Sequence, residues 1–156
     1  MKNVLTKLLK SFFIGCAVLS SLLASGVILL LLITPVVNDM TALHAADSLA
    51  SVPLPDDTEY LGKVSCAGKL TGCGNGAECF GAILLKSERS QEYLQEYYSE
   101  RDKFCTVEPQ HGLMIDVLEH RKLSFNADMS ADSDYFIVYT WGKNNAVFKD
   151  IDIRGH

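Results

Sequence analysis

Four cysteines have the residue type and spacing that could support chemistry: Cys66, Cys73, Cys79 and Cys105. The gaps between them are six, five and 25 residues, so the paired hooks with which a zinc ribbon brings two thiolates to one ion are missing. The Cys-x-x-Cys of a thioredoxin-like centre is missing too. An even number of cysteines in a small extracytoplasmic domain is typical of disulfides, so we predict two bridges in preference to a metal site or free thiols.

Two of these cysteines lie in a glycine-rich stretch, GCGNGAECFG, at residues 72–81. We interpret it as a turn closed by a disulfide, in which glycines adopt positive φ angles. The favoured pairing joins Cys66 to Cys73 across this turn, and Cys79 to Cys105 between strands that flank a helix. An alternative use of the turn is a nest of backbone N–H groups that binds an anion.

Oxygen-bearing side chains occupy every second position of residues 126–134: Asn126, Asp128, Ser130, Asp132 and Asp134. Ligands spaced in this way can surround a calcium ion, as in the first half of an EF-hand loop. The match ends there, because the sixth position is Ala131 instead of glycine and the twelfth is Ile137 instead of glutamate. We therefore expect a solvated acidic hairpin loop, with calcium binding as the alternative.

Other catalytic motifs are absent from the sequence. The four histidines show no spacing typical of paired metal ligands, and none accompanies a recognisable nucleophile. The chain has no phosphate-binding loop, no G-x-S-x-G and no H-E-x-x-H. We predict no catalytic residue and no cofactor, which favours a non-enzymatic protein.

Aromatic residues are concentrated in one predicted helix and along one predicted strand: Tyr93, Tyr97, Tyr98, Tyr139 and Trp141. Tyrosine and tryptophan are enriched at binding hot spots, so these residues could form a recognition surface for a peptide or a cell-wall sugar. The alternative is core packing with the hydroxyl groups at the rim.

An apolar N-terminal helix must carry this domain. Residues 11–37 contain no charge, and 27 helical residues reach about 40 Å, against about 30 Å of hydrocarbon in a bilayer. A cleaved signal peptide has a shorter apolar region, and lipidation at Cys16 would need more of the apolar run before it. We predict an uncleaved single span, with residues 1–37 as cytoplasmic tip and transmembrane anchor.

The charges beside the span predict its orientation in the cell membrane. Three lysines precede it and Asp39 is the first charge after it, so the positive-inside rule places the N-terminus in the cytoplasm and the remainder outside. Residues 39–156 carry 11 Lys and Arg against 19 Asp and Glu, a formal charge of −8. Such an acidic domain repels phosphate backbones, which excludes nucleic acid as an expected partner.

Beyond the span, the sequence predicts a linker and one domain. Residues 38–57 are small and polar with two prolines, which is typical of a stalk, with a short helix over residues 42–50. Residues 58–156 would form an extracytoplasmic α+β domain, a small and mostly antiparallel sheet with one packed helix that begins after Ser90. Its strands are expected at 59–70, 78–87, 104–109, 113–120, 122–127, 134–141 and, at an edge, 146–156.

The stretch GNGAECFGAILLKSERSQEYLQEYY, with DYFIVYTWG and DIDIRGH further on, resembles small single-pass membrane-anchored proteins of Gram-positive bacteria. Those proteins are similar in their N-terminal span, a glycine-asparagine turn before a FGAILL-like strand, a helix that opens on serine and a C-terminal RGH. The group is uncharacterised and has no assigned activity, so the resemblance implies a bacterial, membrane-anchored architecture and nothing about function.

These observations predict a disulfide-stabilised, membrane-anchored binding module outside the cytoplasm that contacts an envelope protein or peptide. The alternatives are a small envelope thiol or redox protein and a calcium- or ligand-sensing domain. Small residues at every fourth position of the span, Ala17, Ser21 and Ser25, could also pair two helices in a homodimer.

Overall fold

A computed structural model of the chain describes residues 2–141, 146 and 148–155. The chain divides into two units, Met1–Ile33 and Thr34–His156. The first helix, α1 (Lys2–Ala50), contributes residues to both. The described residues of the first unit are helical throughout.

The first unit contains most of the apolar run, residues 11–33. Large apolar side chains such as Phe12, Leu22 and Ile28 are more than half exposed there. Among the described residues, one helix near the N-terminus, Thr6–Ala50 within α1, is long and apolar enough to cross a membrane. The structure therefore confirms one segment with the length and composition of a membrane span.

The second unit is built on one antiparallel sheet, whose strands lie in the order β1-β2-β4-β3 within the described part of the chain. The strands are β1 (Thr58–Gly68), β2 (Glu78–Ser87), β3 (Cys105–Pro109) and β4 (Tyr135–Thr140). A second helix, α2 (Gln91–Ser99), follows β2, and a short 3-10 turn covers Ile153–Gly155. This arrangement confirms the predicted α+β fold, a small antiparallel sheet with a packed helix.

The central strands are apolar on both sides, so the sheet buries both of its faces. On one face, Phe80 and Leu84 lie under the irregular segment 113–129. On the other face, Ile83 and Leu85 lie under α2 and the end of α1. Fully buried strands of this kind read as continuous apolar runs, which explains why β2 and β4 are recognisable in the sequence.

Helix α2 begins where the sequence predicts a cap. The Ser90 hydroxyl accepts a hydrogen bond from the Tyr93 N–H at 3.3 Å, as an N-cap does. Leu94 and Tyr98, one turn apart, are buried and face the sheet. The cap and the apolar spacing together place the remaining tyrosines of α2 on its outer side.

Residues 38–57, predicted to be a stalk, are helical as far as Ala50 and lie within the second unit. Ala42, Ala46 and Leu49 are buried. The backbones of α1 and β2 approach closely, because a Cβ atom at Gly81 would lie 2.4 Å from the backbone nitrogen of Ala46. The small residues that are typical of a linker are here the packing surface of a helix.

The strands predicted at 113–120 and 122–127 are wrong. The segment pairs with itself at one isolated bridge, Met114 with Ser124, and it is otherwise irregular. Its apolar residues cover a face of the sheet without joining it. The edge strand predicted over 146–156 is also wrong for residues 148–155, which form turns. Val147 and His156 lie outside the described residues.

Candidate functional site

The outer side of α2 carries two tyrosines, with one arginine beyond each end of the helix. The Tyr93 and Tyr97 rings are stacked, with centroids 6.3 Å apart. The Arg89 guanidinium lies 5.4 Å from the centroid of the Tyr93 ring, and the Arg101 guanidinium 4.1 Å from that of Tyr97. Because these four residues recur at every fourth position, they lie in one row, which we call the arginine–tyrosine column.

One tyrosine and one arginine of the column are fixed by contacts with residues outside it. The Tyr97 hydroxyl donates to the Pro53 carbonyl at 2.8 Å, and Arg89 pairs with the Asp57 carboxylate at 2.9 Å. The Tyr93 ring remains 42% exposed. A pre-ordered aromatic ring of this kind can bind a partner at a low cost in side-chain entropy.

Tyr98 does not belong to the column, although the sequence groups it there. Its side chain is buried between α2 and the sheet, and burial raises the pKa of its phenol to about 12. Its hydroxyl has no hydrogen-bond partner among the described residues. Tyr98 is a core residue.

Tyr139 and Trp141 lie on the opposite face of the sheet from α2. Both rings pack on Phe80, with centroid distances of 5.6 and 5.1 Å. The Tyr139 hydroxyl donates to the Glu108 carboxylate at 2.8 Å, and burial together with this carboxylate raises the pKa of the phenol to about 12. The five predicted binding residues therefore do not converge, and Tyr93 and Tyr97 alone form a common surface.

The sheet register restricts how the cysteines could pair. All of them carry free thiols in the structure. Strand β4 lies between Cys79 and Cys105, so the two residues are at least two strand spacings apart, about 9.6 Å, whereas a disulfide needs Cα atoms within about 7 Å. The predicted Cys79–Cys105 bridge is incompatible with this sheet. In the β1–β2 register, Cys66 lies opposite Phe80 and Cys79 lies opposite Ala67. Because Cys79 and Phe80 are neighbours in β2, the side chains of Cys66 and Cys79 point to opposite faces of the sheet.

The chemistry of the buried thiols does not fit a redox centre. The Cys79 thiol donates to the Asn38 carbonyl at 3.4 Å. Burial raises the pKa of Cys66 and of Cys79 to about 11, and it also raises the pKa of Cys105. Reactive cysteines need a lowered pKa, because the thiolate is the nucleophile. Cys73 differs from these three, since it is exposed in the turn that follows β1.

The glycine-rich turn has the predicted backbone conformation. Gly72 and Gly76 have φ angles of 61° and 124°, which favour glycine. The N–H groups at the start of the turn are already bonded, because the Glu78 carboxylate accepts from Thr71 and the Glu119 carboxylate accepts from Gly72, both at 2.8 Å. The carboxylates occupy the donors that an anion at the start of the turn would need, and the Gly76 N–H is bonded to the Gly155 carbonyl at 2.8 Å. The anion-nest alternative is therefore not supported.

The acidic loop at 126–134 is exposed at all five candidate calcium ligands. The Ser130 N–H donates to the Tyr135 hydroxyl at 2.7 Å, a contact that closes the loop. Asp132 and Asp134 line a shallow hollow with the acidic residues at 57, 59 and 88. In the part of the chain that the structure describes, no three His, Cys, Asp or Glu side chains are placed to hold one metal ion.

A buried polar cluster joins the end of the described chain to α1, and we call it the Arg154 cluster: Asn38, Asp39, Asp152 and Arg154. Asn38 and Asp152 are fully buried and share a hydrogen bond of 2.8 Å. Arg154 donates to Asp152 and to Asp39, each at 2.8 Å. Its guanidinium also donates to the Pro35 carbonyl at 2.9 Å.

The charges of this cluster complement one another. Hydrogen bonds from Arg154 lower the pKa of the Asp152 carboxyl to about 2 and raise the pKa of Arg154. The sequence contains one signal of the cluster, the polar pair Asn38-Asp39 directly after the apolar run. The partners of that pair lie 114 residues away, so local pattern analysis could not find them.

Comparisons with family models, with curated proteins and with solved structures found no match to this chain.

Proposed function

We propose that this chain is a non-enzymatic interaction module of the cell envelope. A single span anchors it in the cell membrane, with the N-terminus in the cytoplasm and the folded unit outside. It binds another envelope protein or a peptide. The apolar, exposed run of α1 and the lysines before it support the anchor and its orientation, and the residues given above support the binding surface.

The observation that carries the binding proposal is the arginine–tyrosine column. Tyrosine and arginine are two of the three residue types most enriched at hot spots, and here two stacked tyrosines are flanked by two arginines. The Tyr93 ring is exposed, while Arg89 and Tyr97 are fixed by Asp57 and Pro53. A fixed, amphipathic row of this kind suits a partner that presents apolar side chains beside carboxylates.

Site-specific crosslinking in intact cells tests the binding surface. A photoreactive phenylalanine analogue replaces Tyr93 in the full chain, and the matched control places it at Tyr60, which is 38% exposed on β1. We expect a discrete crosslinked product from position 93 and none from position 60. Products of equal yield from both positions, or none from either, would contradict the proposed surface.

Protease treatment of intact cells tests the orientation. If the folded unit lies outside, protease removes it while a cytoplasmic marker protein stays intact. Protection of the folded unit in intact cells, with digestion after lysis, would reverse the assigned orientation.

Two further parts of the proposal are a disulfide within the chain and a homodimer formed by two membrane helices. A Cys66–Cys73 disulfide remains compatible with the sheet, because Cys66 is near the end of β1 and Cys73 is in the following turn. Mass analysis of unreduced protein from the envelope would detect it.

A homodimer through Ala17, Ser21 and Ser25 would be lost on replacing Ser21 by leucine, and crosslinking within the membrane would measure that loss.

A further inference from the structure

Two exposed isoleucines lie in the segment that carries the Arg154 cluster. Ile153 is 67% exposed and Ile151 is 37% exposed, while Asp152 between them is fully buried. The alternation points the polar side chains toward α1 and the apolar side chains away from it. Large apolar residues on the outside of a folded unit indicate a contact surface when they occur together at a defined place.

The place is defined by helix α1. Arg154 bonds the Pro35 carbonyl at 2.9 Å and the Asp39 carboxylate at 2.8 Å, so the segment 151–154 lies beside helix residues 35–39. These residues are where the charge-free run ends, at residue 37. The run is about 10 Å longer than the hydrocarbon core, so a run centred in the bilayer extends about 5 Å, or about three residues, beyond the core at each end. Its last residues, 35–37, then fall in the headgroup layer, which is about 5–8 Å thick on each side.

We propose that Ile151 and Ile153 insert into the interfacial layer of the bilayer that holds the anchor, so that the folded unit contacts lipid directly. This inference rests on the membrane anchor of the proposed function. The Arg154 cluster holds the two side chains at the depth of helix residues 35–39, and lipid is the apolar medium present at that depth. The contact is apolar, because a unit with a formal charge of −8 is repelled by anionic headgroups.

Fluorescence quenching by brominated lipid tests this contact in the full chain. Ile153→Trp places a reporter at the proposed contact, and Leu54→Trp is the matched control. Leu54 is 43% exposed but follows the end of α1, and Ala50 lies about 18 Å along the helix from Asn38. Wild type, with Trp141 alone, gives the baseline.

Each chain is reconstituted into phosphatidylcholine vesicles with or without bromine near the headgroup end of the acyl chains. We expect blue-shifted emission from Trp at 153 and at least a twofold loss of its intensity with brominated lipid. Trp at 54 should emit as in water and lose none. Vesicle flotation is measured first on every sample.

The outcomes separate the inference from the anchor on which it depends. Chains that fail to float contradict the membrane anchor, and the inference falls with it. Chains that float but show an unquenched Trp at 153 contradict the lipid contact alone. Emission that is blue-shifted but unquenched identifies a second copy of the chain as the occupant, and this also overturns the inference. Equal quenching of the tryptophans at 153 and 54 would contradict the assignment of the lipid contact to residues 151 and 153.

Discussion

Removal of the Arg154 side chain should destabilise the folded unit strongly. Arg154→Ala leaves the Asp152 carboxylate, which is fully buried, with Asn38 as its remaining side-chain partner. Breaking a buried pair in this way typically costs about 3–5 kcal/mol, and we expect about 3 because the Arg154 side chain is a quarter exposed. A loss of this size is a large fraction of a typical stability of about 5–15 kcal/mol.

The assay is urea unfolding of the full chain in non-ionic micelles, followed by the emission of Trp141. Arg101→Ala is the control, since this exposed arginine contributes a cation–π contact of about 1 kcal/mol or less. Adding Asp152→Asn to Arg154→Ala should recover part of the stability, because a neutral amide leaves no uncompensated charge. Equal effects of Arg154→Ala and Arg101→Ala, or no recovery in the double variant, would refute the reasoning.

Acid provides a second measurement of the same cluster. The pKa of Asp152 is about 2 in the folded state and 3.8 when unperturbed, a difference of about 2.5 kcal/mol. Because the folded pKa is the lower one, this stabilisation is complete above about pH 4 and is lost as the pH falls through 2. Wild type should therefore lose about 2 kcal/mol more than Asp152→Asn between pH 5 and pH 2, and parallel curves would contradict the assignment.

Three further experiments have defined outcomes, two with pairs of substitutions and one with a thiol reagent. Gly81→Ala should cost at least about 2 kcal/mol because its Cβ would meet the α1 backbone, whereas Gly62→Ala, which has open space around it, should leave the urea midpoint nearly unchanged. Tyr98→Phe should stabilise by about 1 kcal/mol by removing an unbonded buried hydroxyl, while Tyr139→Phe should destabilise by about 2 through the lost carboxylate bond. In the reduced native protein, a thiol reagent should modify Cys73 within minutes, and Cys79 and Cys105 only after unfolding.

Much of the secondary structure could be predicted because local signals determine it. The Ser90 cap and the spacing of Leu94 and Tyr98 define α2, and continuous apolar runs define β2 and β4. Residues 122–127 alternate as a strand does, because one side of this segment also faces the core. Alternation reports burial on one side, and strand pairing is a separate property.

The binding residues and the Arg154 cluster show where sequence reasoning stops. The sequence identifies Tyr93, Tyr97 and Tyr139 as one class, but strand register places Tyr139 on the opposite face from the other two. The composition of residues 38–57 resembles a stalk with a short helix, because composition does not show that Gly81 leaves room for a helix backbone against the sheet. Each of these facts depends on a partner distant in sequence.

The bond between Asn38 and Asp152 spans 114 residues, and this separation has a consequence for biogenesis. When helix α1 has been synthesised, the turn that contains Asn38 is already made, but the arginine and aspartate that complete it are still to be synthesised. Completion of the folded unit must therefore follow synthesis of residues 152–154, and, if the unit lies outside as proposed, their export as well. Until then, chaperones and proteases have access to an amide side chain and a thiol that the mature fold conceals.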